Sequence, residues 1–143
     1  MANSNHQVVW EHRQAELWDR MFQASQDTVA FAETVADTGG THIVREALVR
    51  SALGIGAAVV RANAADDRAV FIEHVTEARL RAIETDYWLR MAYTLQQREE
   101  QQRDVSGLLS QYAAIIDLLH TFAQHAKSES SVIARHTRGP RVS

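Results

Sequence analysis

Apolar residues return every three or four positions through most of this chain. Trp18, Met21, Phe22, Ser25, Val29, Ala32 and Ala36 form one such series, with Asp19, Arg20, Gln23, Asp27 and Glu33 between them. This spacing gathers the apolar set on one side of an α-helix. It predicts a helix from about Gln14 to Ala36, with a start as early as His6 behind Ser4 or Asn5. Asp37-Thr38-Gly39-Gly40 ends it, because glycine accepts the left-handed backbone that a helix terminus needs. Thr41 is the expected N-cap of a second helix, from about His42 to Asn63. Asp66 or Asp67 caps a third that reaches Leu95, and Gln96–Asp104 reads as a polar connection. A fourth helix spans about Arg103 to Ala126, with Leu108, Tyr112, Ile115, Leu119, Phe122 and Ala126 near heptad spacing. Long helices on short links predict an all-α, up-down-up-down four-helix bundle. The bundle is assigned to residues 1–126 and a basic, Ser-containing, disordered tail to residues 127–143.

Two of these helices are apolar on two sides. On the second, Val44, Leu48, Ser51, Ile55, Val59 and Ala62 form one stripe. Val49, Leu53, Gly56 and Val60 form another, about 150° away at some 100° per residue. On the third, Phe71, Val75, Ala78, Ala82, Thr85, Leu89 and Ala92 make one stripe, while Ile72, Thr76, Leu80, Ile83 and Tyr87 make another, with Met91 at its edge. A helix in an isolated bundle shows about half its circumference to water, so a helix apolar nearly all round belongs in a larger interior. One short chain does not supply that interior; further copies of it do. The expected oligomer interface is Val49, Leu53, Gly56 and Val60 of the second helix with Phe71, Ala78, Ala82, Trp88 and Leu89 of the third. The small residues among them let helices approach closely. The competing reading covers the second stripes with Arg and Glu stems, or with Val8-Val9-Trp10 folded back.

Composition narrows the class. The only proline among 143 residues is Pro140, so strands and tight turns lack their usual punctuation. With no cysteine, disulfides, thiolate metal sites and cysteine catalysis are excluded. The longest strongly apolar stretch, Ser51–Val60, is half of the roughly 20 residues that a membrane span needs. No charged segment followed by an apolar run marks a secretory signal, so a cytoplasmic location is expected. The formal charge of −3 predicts no general attraction to nucleic acid. Its distribution is uneven, since the tail carries Lys127, Arg135, Arg138 and Arg141 against Glu129 alone.

Residues of the middle helices resemble a known family. Leu48-Val49-Arg50-Ser51-Ala52-Leu53-Gly54-Ile55-Gly56-Ala57-Ala58-Val59-Val60-Arg61-Ala62 lies without gaps on a run of the form L-R-R-A-A-x-S-I-P-A-N-I-A-E-G. Ala78-Arg79-Leu80-Arg81-Ala82-Ile83-Glu84-Thr85 is similar to G-S-L-x-E-L-E-T at Leu80, Ile83, Glu84 and Thr85. Both runs characterise the bacterial four-helix-bundle proteins first noticed in intervening sequences of 23S ribosomal RNA genes. The chain departs from them at Gly56, Ala58 and Arg61, where the family has Pro, Asn and Glu. The resemblance implies a non-enzymatic bundle that assembles into a ring, a pentamer in some members. Through related accessory proteins of diversity-generating retroelements, it also implies a nucleic-acid-binding alternative.

The residues themselves propose little chemistry. Asp117-x-x-His120 is the spacing nearest to a di-metal bundle motif, but both residues fall on the polar side of the fourth helix with Ser106, Ser110 and Gln124. Glu73, Glu77 and Glu84 are interleaved with Arg81 and lack the paired spacing of helical Mg²⁺ sites. His12/Glu16 and His42/Glu46 read as surface pairs, and no phosphate-binding glycine loop or nucleophile elbow occurs. No catalytic, cofactor-binding or metal-ligating residue is therefore assigned, and no enzyme is expected. Arg50, Arg61, Arg135, Arg138 and Arg141 are the candidate phosphate contacts of the nucleic-acid alternative. Otherwise the expected partner is a second copy of the chain or another protein.

Overall fold

Helix propensity and the absence of internal proline let the helices run long, with Gly39 opening the second and Asp67 capping the third. The computed structural model describes residues 2–96 and 98–137, with side chains placed for 12–96 and 98–129. Four helices follow one another: α1 (Ala2–Thr34), α2 (Gly39–Asn63), α3 (Arg68–Leu95) and α4 (Glu99–Thr137). Among the described residues there is no strand. Packing runs around a square, with α2 against α1 and α3, and α4 against α3 and α1.

Boundaries show which local signals acted. Gly39 opens α2 at φ 55°, the left-handed backbone expected of the glycine pair. The N-cap is Thr38 rather than Thr41, which lies inside the first turn; Thr38 makes no side-chain cap bond. Asp67 caps α3, its carboxylate accepting the Val70 N–H at 2.9 Å. The expected polar connection Gln96–Asp104 is mostly helix, since α4 already begins at Glu99, where two glutamates favour an N-terminus. α4 also continues past Ala126 to Thr137, into the segment assigned to the tail. Residues 138–143 lie outside the described residues.

The core is built from the first stripe of each helix. Leu48, Ile55, Leu89, Ile115, Leu119 and Val105 are almost wholly excluded from water. Where α2 meets α3 the contact is made by small residues: Ala52, Ala58, Ala78 and Ala82 are all fully buried. Gly54 belongs to the same seam, where a Cβ would already touch the Arg81 stem at 3.5 Å. Small side chains bring helix axes close and let backbones pack at crystal-like density. Across the bundle, the buried Tyr112 hydroxyl of α4 donates to the Ala24 carbonyl at 3.2 Å and lies 2.6 Å from the Thr28 hydroxyl of α1. Burial pushes the Tyr112 phenol up to about 12.

Candidate interaction surface

On α2 the inward stripe leaves its counterpart turned outward. Leu53 is 50% exposed and Val60 53% exposed, on the side away from the core residues Ile55 and Val59. Val49 and Gly56 are half-buried, and a Cβ at Gly56 would lie 3.9 Å from the Met21 methyl of α1. The outward surface of α2 thus has Leu53 and Val60 at its centre and rolls toward α1 at Gly56. Phe22 of α1 is also exposed.

On α3 the structure corrects the expected interface. Ala78, Ala82 and Leu89 have no accessible surface in a single chain, so they have nothing to offer another copy. Their small size serves the α2–α3 seam within the chain. The outward set is the other stripe: Leu80 (57% exposed), Ile83, Tyr87 (56% exposed) and Met91. The periodicity made this stripe visible, but not that it faces out. Phe71 and Trp88 are half-buried and packed against the core. Trp88 meets Tyr87 edge-to-face, with ring centroids 5.1 Å apart and an interplanar angle of 74°. That contact joins the half-buried Trp to the exposed stripe.

A line of charge separates the two apolar faces. Arg61 of α2 binds Glu77 of α3 at 2.9 Å, and this hydrogen bond lowers the Glu77 carboxyl below the usual range. Arg81 pairs with Glu84 at 3.3 Å on the same flank, while Arg90 and Asp86, 2.8 Å apart, lie on the opposite flank of α3. Exposed pairs of this kind contribute little to stability, but they set the polarity of the rim. Arg50, next to Leu53 on the outward side of α2, has no ion pair among the described residues, and neither has Glu73 on α3.

The remaining sequence candidates are scattered. Arg50 and Arg61 are both exposed on α2, but Arg61 is engaged by Glu77. The Arg135 side chain, and Arg138 and Arg141 entirely, lie outside the described residues. Asp117 and His120 are exposed on α4. Among the described residues no three His, Asp or Glu converge as a metal site, and no helix is long and apolar enough to cross a membrane.

Neither a protein-family model nor a curated protein matches this chain. A solved structure does: a protein of unknown function from the S23 ribosomal protein family of Bacteroides thetaiotaomicron, with a TM-score of 0.70 and 21% sequence identity. The match covers 78% of this chain and 98% of that one. At this identity the likeness establishes the four-helix fold.

Proposed function

We propose that this chain is a non-enzymatic bundle, of the type noticed in 23S ribosomal RNA intervening sequences, that assembles with copies of itself into a closed ring and serves as a scaffold or interaction protein. The observation that carries this reading is the pair of exposed apolar faces, Leu53 and Val60 on α2 and Leu80, Ile83, Tyr87 and Met91 on α3. Each such side chain is already about half covered, so withdrawing the rest from water contributes about 1 kcal/mol, and monomers rarely leave large exposed apolar patches.

The placement of the faces favours a head-to-tail contact over a two-fold one. They lie on adjacent sides of a square bundle and carry different residues, so α2 of one copy meets α3 of the next. A head-to-tail contact closes into a ring when its rotation permits. Charge supports the same pairing: Arg50 flanks the α2 face and Glu73 lies on the α3 face, each without an ion pair among the described residues. The engagement of Arg61 by Glu77 also leaves the nucleic-acid alternative with a weaker cation set on α2.

Light scattering on the full chain tests the proposal. A mass several times 16.1 kDa is expected. A monodisperse monomer at tens of micromolar overturns it.

A further inference from the structure

At one end of the bundle the described side chains leave a space between the helices. The N-terminal half of α1, the last turns of α2, the first turns of α3 and the later part of α4 surround a half-open cavity of about 550 Å³. Its walls are Leu17, Val59, Phe71, Val75, Leu119 and Phe122, with Trp18 at the edge. The void persists because two positions that point toward it, Ala15 and Ala62, carry only a methyl group.

Among the described residues the polar contribution to this lining comes from two neutral amides, Gln14 of α1 and Asn63 at the end of α2. Both are exposed residues, and neither side chain has a hydrogen bond among the described residues. Among the described residues no charged side chain lines the cavity. The space falls in the range of small-molecule sites, about 300–1,000 Å³, which pair apolar walls with a few convergent polar groups. Far smaller apolar voids, of about 150 Å³, already bind benzene.

We propose that this cavity is a binding site for an uncharged, largely apolar small molecule with a single hydrogen-bonding head. The ring or chain lies against Phe71, Val75 and Leu119, under Trp18. The head is bound by the Gln14 and Asn63 amides, which both donate and accept. A carboxylate or an ammonium finds no counter-charge among the described lining residues and must give up its hydration, so the site discriminates against ionised ligands. The cavity lies between helices at one end and shares neither Leu53 nor Leu80 with the outward faces, so this site does not depend on self-assembly.

N-phenyl-1-naphthylamine, a neutral aromatic with one N–H donor, is a suitable probe. Titrated into the full-length protein, it should show saturable fluorescence enhancement at one molecule per chain, with quenching of tryptophan emission. Ala15→Leu, on an exposed position of α1, and Ala62→Phe both fill the cavity and should weaken binding at least tenfold. Circular dichroism verifies the fold of each variant. Leu53→Glu and Leu80→Glu should leave probe affinity unchanged whatever they do to the molecular mass. The proposal is overturned by absence of saturable binding, by full affinity in a folded Ala15→Leu variant, or by loss of binding in Leu53→Glu or Leu80→Glu with retention in the cavity variants.

Discussion

Thr85 of α3 donates its hydroxyl to Ser51 of α2 at 3.0 Å, and both side chains are cut off from water. Ser51 in turn donates to the Leu48 carbonyl at 3.1 Å, while Thr85 Oγ1 also lies 2.8 Å from the Arg81 carbonyl. The two polar residues within the apolar seam therefore satisfy each other, and their small size permits the close approach of the helices.

Removing either hydroxyl should cost a modest amount. Thr85→Val and Ser51→Ala are each expected to destabilise by about 0.5–1.5 kcal/mol, because the remaining partner keeps a backbone acceptor. The double variant should cost less than the sum of the two. Urea unfolding of the four proteins measures this coupling; strict additivity would mean that the bond contributes nothing.

The two sides of α3 should separate stability from assembly. Leu89→Ala hollows the core and is expected to cost about 2–5 kcal/mol. Leu80→Glu and, on α2, Leu53→Glu should lower the assembled mass while each chain keeps its helical signal. Denaturation midpoints and light scattering distinguish the outcomes. Unchanged mass in both glutamate variants would place the interface elsewhere.

Charge exchange probes the head-to-tail pairing. Arg50→Glu should weaken assembly, and adding Glu73→Arg should recover part of it as the two signs are swapped. Both effects should shrink in high salt, since the rim is exposed. Sedimentation at low and high ionic strength supplies the measurement.

The corner between α1 and α2 should respond to pH. His42 Nδ1 is bonded to Asp37, and its Nε2 lies 3.5 Å from Glu46. The Asp37 bond raises the His42 pKa, and the His42 bond lowers the Asp37 pKa. The histidine contribution is complete below its ordinary value of about 6.5 and is lost as pH rises through the elevated one. The aspartate contribution is present above its ordinary value of about 3.9 and is lost as pH falls through the depressed one. Their joint benefit is greatest between about pH 4 and 6.5. His42→Gln should therefore lower the melting temperature at pH 5.5 and leave it unchanged at pH 9. An equal effect at both would exclude an ionic origin.

Tyr112 acts in the alkaline range. With its phenol pushed up to about 12, the folded chain holds this proton more tightly than the unfolded chain does. Above the ordinary value of about 10, stability should fall by about 1.4 kcal/mol per pH unit until the folded phenol itself ionises. Tyr112→Phe should remove this part of the alkaline slope, at a cost near neutrality of about 0.5–1.5 kcal/mol. Urea midpoints between pH 8 and 11.5 measure both.

Short-range chemistry was legible along the chain. The three-and-four spacing and the Asp67 cap depend on residues within a few positions of each other, and four helices form where that spacing places them, although the glycine pair expected to end α1 instead opens α2. The inward stripe of α2 was visible for the same reason. Spacing does not specify how an α-helix rotates about its axis when two of its sides are apolar. On α3 that choice went to the stripe of Ala78, Ala82 and Leu89, because small side chains let α3 pack close to α2 while Leu80 and Tyr87 would have held it away. The same three-dimensional packing left the cavity over Ala62 and joined α1 to α4 through Tyr112 and Thr28, residues whose separation along the chain gives no local sign of their contact.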